Sequence, residues 1–260
     1  MRFDFTVILA FTGALSINLK ISLPLQLFSF GSKLYFWTLN TTMVNTVIFD
    51  MDGVIVDTEP VHYFAYHQHF KHLNIDIPDE MYHTFTGFST KNTYQKIKDH
   101  FNLEEEIEAL VRSKRDFFND AFDIKEDLEL LPGVLDLIKN LHNNGLQLVL
   151  ASSASNETIG RVFKRFNLHQ YFTHIVSGED FPQSKPHPAI FLKAAELSGS
   201  PVSQCIVIED STNGIRAANA AGIYCVAYVS ENSKQQELSI AQKIITSFSE
   251  LNADIIRSIN

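Results

Sequence analysis

Residues 47–59 read Val-Ile-Phe-Asp-Met-Asp-Gly-Val-Ile-Val-Asp-Thr-Glu. An apolar β-type run leads straight into two carboxylates, Asp50 and Asp52, and then into Gly53. A strand ending this way presents a carboxylate at its carboxyl edge, where open α/β sheets bind ligands, and the glycine lets the backbone turn sharply around whatever is bound. By itself Asp-x-Asp-Gly is equally an acidic turn after a strand, because Asp and Gly are ordinary turn residues. The remainder of the chain decides between the two.

From residue 44 onward short apolar runs alternate with amphipathic helical stretches, the pattern of βαβ units on a parallel sheet. Strands are expected at Thr46 to Phe49, Leu146 to Ala151, His174 to Val176, Cys205 to Ile208 and Tyr224 to Val229, with a weaker one at Lys243 to Ile245. Helices are expected from Pro132-Gly133 to Asn144, from Asn156 to Phe166, from Pro188 to Ser198 and from Asn213 to Ala221, with Gly145 and Gly222 as stops. The rhythm fails once. Between Thr58 and Leu128 the chain reads as helices only, over Pro60 to Leu73, Lys91 to Phe101 and Glu104 to Phe122. In the last of these an acidic first turn precedes Arg112, Lys114 and Arg115, in keeping with the helix dipole. An all-helical insert beside a strand end is a candidate lid over a site; a helical decoration without contact to the site has the same composition.

Composition excludes several classes. With 260 residues, 45% hydrophobic and 20% charged, the chain can bury a full core and is not a disordered one. A net charge of -9 argues against a nucleic-acid surface, which needs clustered Lys and Arg. An acidic chain that handles phosphate must therefore use a metal ion or local positive charge. The two cysteines, Cys205 and Cys225, lie at apolar strands and read as buried thiols of a reducing compartment, which makes the cytoplasm the expected location. Residues 1–43 differ from the rest, with only Arg2, Asp4, Lys20 and Lys33 as charges. Phe5 to Leu19 is too short for a membrane span, Asp4 spoils the basic region of a signal peptide, and a second apolar run from Ile21 to Ser32 follows. The reading adopted is a start placed upstream of a true initiator at Met43. A signal or anchor segment, which would make the protein exported, and an ordered extension are the alternatives. No stable membrane association is expected, and the chain is read as a monomer or weak oligomer.

Three further polar elements fall at the ends of successive expected strands: Ser152-Ser153, Lys185 before Pro186, and Glu209-Asp210. Each alone would be a solvated loop feature, but together they form a complete set for phosphoryl transfer through an aspartyl-phosphate. A carboxylate nucleophile repels a phosphate dianion, so a magnesium ion is needed between them, held by oxygen ligands such as Asp50, Asp210 and Glu209. Asp52 can protonate the leaving alkoxide and later accept a proton from water. Lys185 and Ser152 can stabilise the equatorial oxygens.

Asp50-Met51-Asp52-Gly53-Val54 with Asp57-Thr58, Ser152, Lys185-Pro186 and Glu209-Asp210 resembles the four motifs of the haloacid dehalogenase superfamily, and most closely its β-phosphoglucomutase and sugar-phosphate phosphatase group. The resemblance implies an α/β, Rossmann-like parallel-sheet core formed by residues 44–57 and 129–260, with a helical cap of residues 58–128 inserted after the first strand. It implies Asp50 as nucleophile and metal ligand, Asp52 as acid/base and a ligand through its backbone carbonyl, Ser152 and Lys185 as phosphate binders, and Glu209 and Asp210 as the remaining magnesium ligands. On the substrate side it points to Thr58, His62, Gly87, Ser153 and Asn156; without it His62 would be a helix-surface histidine, and Asn156 serves equally as a helix N-cap. Asp52 separates the chain from dehalogenases and phosphonatases, which lack an acid two residues after the nucleophile. His69 and His72 share a helical face without a spacing that requires a metal.

The chain departs from the mutase pattern in the loop Thr86-Gly87-Phe88-Ser89-Thr90, where Thr86 and Thr90 replace a Lys and an Arg. Hydroxyls can bind a sugar but cannot neutralise a second phosphate, although Lys91 could partly substitute. The expectation is therefore a magnesium-dependent phosphatase acting on a small phosphorylated metabolite, a sugar phosphate. A phosphohexomutase and a non-catalytic protein that binds a phosphorylated ligand are the alternatives.

Overall fold

The computed structural model describes residues 5–10, 16–21, 43–85, 88–230, 233 and 236–259. It divides into two units, Met1–Thr41 and Thr42–Asn260. In the first, β1 (Phe5–Ala10) and β2 (Ser16–Ile21) form an antiparallel pair with Phe5 opposite Ile21 and Ala10 opposite Ser16. The second apolar run expected there lies, beyond Ile21, outside the described residues.

The second unit is built on six parallel strands: β3 (Thr46–Phe49), β4 (Gln147–Ser152), β5 (His174–Ser177), β6 (Cys205–Glu209), β7 (Tyr224–Tyr228) and β8 (Lys243–Ile245). Their spatial order is β5-β4-β3-β6-β7-β8. The chain thus moves outward from β3 to one side, then returns to lay β6 on its other side. That reversal makes the carboxyl end of β3 the point where a crevice opens in a doubly wound sheet. Phe49 pairs with Leu150 on one side and Ile208 on the other, so the next residue, Asp50, emerges between the two neighbouring strand ends.

The strands are continuous apolar runs because both faces are covered. Val47, Phe49, Leu148, Leu150, Ile206 and Ile208 face a layer holding Leu137, Ile138 and Leu141 of α5 (Val134–Asn143) and Ile159, Val162 and Phe163 of α6 (Asn156–Arg165). Ile48, Val149, Ala151, Cys205 and Val207 face Ile190, Phe191 and Ala194 of α7 (Ala189–Ser198) and Ile215 and Ala218 of α8 (Thr212–Ala220). Both cysteines are free and buried.

Between β3 and α5 lie α1 (Glu59–His72), α2 (Asp79–His83), α3 (Thr90–Phe101) and α4 (Ile107–Ile124), with a core of their own around Tyr66, Phe70, Tyr82, Tyr94, Ile97 and Leu110. The short α2 and the C-terminal α9 (Ala253–Arg257) were not expected; at five residues each they are too short to show a helical period. The helix expected from Glu104 starts instead at Ile107 and runs to Ile124. Its basic residues therefore fall mid-helix, and its last turn holds none, so the dipole reading of Arg112, Lys114 and Arg115 is wrong. Among the described residues no helix is long and apolar enough to cross a membrane.

Candidate active site

Ser152 and Glu209, expected just past the ends of their strands, are the last residues of β4 and β6, two residues beyond Leu150 and one beyond Ile208, the partners of Phe49. Asp50 N–H donates to the Ile208 carbonyl at 3.0 Å, which extends the ladder by one residue and fixes the start of the turn. The turn then closes on itself: the Met51 carbonyl accepts from Ile55 N–H at 2.8 Å, and Gly53 N–H donates to the Val56 carbonyl at 2.9 Å. Gly53 has φ +80°, and a Cβ there would lie 2.0 Å from Asp210 Oδ2. No side chain fits, so the glycine is what lets the Asp210 carboxylate approach the Asp50–Asp52 turn.

Lys185 connects the acidic groups. Its ammonium donates to Asp50 Oδ1 at 2.5 Å, to Glu209 Oε1 at 2.8 Å and to the Ala151 carbonyl at 3.2 Å. Lys185 is buried, yet the adjoining carboxylates hold it protonated, above the ordinary lysine range. Burial raises Asp50 to about 7, with Lys185 pulling it down and Glu209 pushing it up. Asp210 is driven well above the usual carboxylate range, first by burial and then by the charges of Glu209 and Asp50. One lysine thus faces more buried negative charge than it can neutralise. That set of hard oxygen donors fits a divalent cation such as Mg²⁺. Glu209 is committed elsewhere: Oε1 takes Lys185, and Oε2 takes the N–H groups of Asp210 and Ser211, both at 2.8 Å. Among the described residues no three His, Cys, Asp or Glu side chains converge as a ligand set.

Asp52 faces the helical insert. Thr58 Oγ1 donates to Asp52 Oδ1, and His62 Nε2 lies 3.9 Å from the same oxygen. Behind His62 stands Lys114, whose ammonium is 2.7 Å from His62 Nδ1 and lies over the rings of Tyr66 and Phe118, 4.3 Å and 5.0 Å from their centroids. A protonated lysine can only donate, so Nδ1 accepts and the neutral ring carries its proton on Nε2, toward Asp52. Burial, followed by the Lys114 charge, holds His62 well below its ordinary range. Burial lowers Lys114 to about 7, with Asp52 and Glu59 opposing. Asp52 itself is raised by burial, against the Thr58 hydrogen bond and the Lys114 charge. Glu59, next to Thr58, is raised to about 7 by burial and accepts from the Tyr82 hydroxyl at 2.9 Å.

The other expected residues divide. Ser152 is fully buried with Oγ accepting from Ala154 N–H at 3.1 Å, and Ser153 packs on Gly178, where a Cβ would come within 2.9 Å of its Cα. Asn156 is not the cap of α6; Ser155 is, through Thr158 N–H at 3.2 Å. Asn156 instead gives its N–H to Glu179 at 3.0 Å and its side-chain amide to Asp180 at 3.3 Å. Gly87 and Thr86 lie outside the described residues. Lys91, the possible substitute for the mutase cations, is exposed and paired with Glu108 at 3.1 Å. Lys114 and Glu59 were missed. Lys114 had left a signal: it occupies the same stripe of α4 as the buried Leu110, Val111, Phe118 and Phe122, where a solvated lysine does not belong.

A model of the haloacid dehalogenase-like hydrolase family matches residues 47–228, and the chain belongs to that family of enzymes. It is 29% identical to a probable pseudouridine-5'-phosphatase of Drosophila melanogaster over 81% of this chain and 93% of that protein. It is 30% identical to the β-phosphoglucomutase of Bacillus subtilis over 70% of this chain and 82% of that one. The crystal structure of CbbY from Rhodobacter sphaeroides in complex with phosphate superposes with a TM-score of 0.76 at 26% identity, covering 84% of this chain and all of that one.

Proposed function

We propose that this enzyme is a Mg²⁺-dependent phosphatase that hydrolyses a small phosphate monoester, a phosphorylated sugar, through an aspartyl-phosphate on Asp50. The observation that carries this reading is the separation of two carboxylates two residues apart: Asp50 lies against the protonated Lys185, whereas Asp52 lies under Thr58 and His62. Deprotonated Asp50 attacks phosphorus, the ester P–O bond breaks, and the leaving alkoxide takes the proton of Asp52. A water then attacks the phosphorus, Asp52 takes its proton, and the bond to Asp50 breaks to release phosphate. Raising the pKa of Asp52 by burial suits both duties, and a positioned acid/base of this kind contributes about 10²- to 10⁴-fold in rate. His62, with its proton on Nε2, orients Asp52; Lys185 and Ser152 stabilise the phosphoryl oxygens. Mg²⁺, taking oxygens of Asp50 and Asp210 and the Asp52 carbonyl, would neutralise the anionic phosphoryl group; Glu209 would join only by giving up Lys185 or the loop amides.

The helices of residues 58–128 serve as the cap in this reading, with Thr58, His62 and the loop carrying Gly87 on the substrate side, and Ser153 and Asn156 facing it from the core. The similarity to β-phosphoglucomutase favours a second reading, a phosphohexomutase. Against it, Lys91 is paired on the surface with Glu108, so it does not supply the charge that Thr86 and Thr90 lack. Phosphate release and β-glucose 1-phosphate isomerisation followed together decide the matter: release is expected to dominate and to vanish in Asp50→Asn. Isomerisation outpacing release would overturn the choice.

A further inference from the structure

The insert meets the core along a polar seam. Arg115, Asn119 and Asp123 repeat at four-residue spacing on α4, as do Glu157, Arg161 and Arg165 on α6, so each set lines one helical face. Arg161 pairs with Asp123 at 2.5 Å, and Asn119 donates to Glu157 at 2.9 Å. At one end Arg165 donates to the carbonyls of Phe122, Lys125 and Leu128 at 3.1, 2.5 and 3.4 Å. Those are main-chain groups where α4 ends and the chain returns to the core, so this end is a fixed pivot. At the other end α6 has run out, and Arg115 crosses instead to Glu179 at 2.7 Å, in the loop after β5. The same Glu179 carboxylate takes the N–H of Asn156.

That far contact lies next to the chemistry on both sides. Arg115 follows Lys114 on α4, and Glu179 lies two residues beyond Ser177, which pairs with Ser152. His62 travels with α4, since its ring packs on Phe118 at 4.3 Å between centroids. Nine helical residues separate the pivot from Arg115, a lever of about 14 Å, so a tilt of roughly 10° displaces the site end by about 2 Å. A movement of that size separates His62 from Asp52.

We infer that Arg115 and Glu179 are positioning residues: their ion pair closes the site end of the α4–α6 seam and so holds Lys114 and His62 against the acid/base Asp52. The inference rests on the hydrolase reading above. It carries a signature that a purely structural role lacks, because only the acid/base would be misplaced while Asp50, Lys185 and Ser152 all stay on the core. In the step that loads Asp50, a substrate whose leaving group needs no proton would escape the defect, whereas the later hydrolysis, with Asp52 as base, is common to every substrate.

The test compares the single-turnover rate of loading Asp50 from p-nitrophenyl phosphate, which leaves as a stable phenolate, with the rate from a hexose monophosphate, which leaves as an alkoxide. In Arg115→Met and Glu179→Gln, the loading rate with the hexose phosphate is expected to fall about threefold to tenfold, the modest scale of a partly exposed ion pair. The aryl ester loading rate and the melting midpoint are expected to hold, and Arg115→Lys to recover most of the loss. Equal losses of loading rate on both esters, an unchanged hexose phosphate loading rate, or a loss that follows a lowered melting midpoint would overturn the inference while leaving the hydrolase reading intact. Wild-type enzyme that cleaves neither ester would instead remove the hydrolase reading, and this inference with it.

Discussion

Lys114 is a lysine on an apolar stripe, and its position has a stability cost as well as a use. Its folded pKa, lowered by burial to about 7, lies below the unfolded value, so between those two values the unfolded chain binds more protons. Stability therefore rises with pH across that window, and at pH 7 and below the cost of the buried charge is fully present. Lys114→Met is expected to gain on the order of 1–3 kcal/mol at pH 7, as judged from urea unfolding, and to lose hydrolysis of alkyl phosphates. A variant that is less stable and equally active would show that the ammonium does not serve His62. Buried ion clusters elsewhere in the site follow the same logic, since Lys185 is tolerated in the interior only because Asp50 and Glu209 meet it there.

At the scale of elements, the helices of the insert depend on a buried neutral histidine. His69 on α1 is buried, with Nδ1 2.5 Å from the Tyr94 hydroxyl of α3 and its ring near Phe117 of α4. Burial, and then the neighbouring His72, lower it to about 4, with Glu105 opposing and Lys114 reinforcing. The folded value is depressed, so protonation favours the unfolded state; the contribution is complete above pH 6.5 and is lost as pH falls from there toward 4. A loss of about 2 kcal/mol between pH 6.5 and pH 4.5 is expected in urea unfolding, and His69→Gln is expected to flatten that dependence. The elements of the core were legible because period and punctuation agree there: strands buried on both faces read as apolar runs, and Gly145 and Gly222 stop the helices before β4 and β7. The insert was legible only as helices. Whether Lys114, Glu59 or Arg115 faces inward depends on how α1 packs on α4, which no local pattern encodes. The alternative reading of Asn156 as a cap fails for a local reason, since Ser155 beside it is an equally good N-cap and takes that position.

For the molecule as a whole, the order of the strands brings chemistry from distant parts of the sequence to one edge. Asp50, Ser152, Lys185 and Glu209 were legible as a set because each follows or ends an expected strand of one parallel sheet, and carboxyl ends of parallel strands share an edge. What the sequence left open is how the acidic groups distribute their partners, as when Glu209 turns to Lys185. The surplus of buried carboxylates predicts that Mg²⁺ stabilises the fold by relieving their repulsion, so the melting midpoint should rise with Mg²⁺ concentration. Asp210→Asn is expected to abolish that rise; an unchanged rise would place the ion elsewhere. The central claim, that Asp50 carries the phosphoryl group and Asp52 moves the protons, is tested most directly by trapping. Asp52→Asn enzyme mixed with p-nitrophenyl phosphate and Mg²⁺, acid-quenched and read by peptide mass, is expected to accumulate one phosphoryl group on Asp50, because the aryl ester needs no acid to load it and no base remains to hydrolyse it. Turnover without an adduct, or an adduct on another residue, would contradict the account.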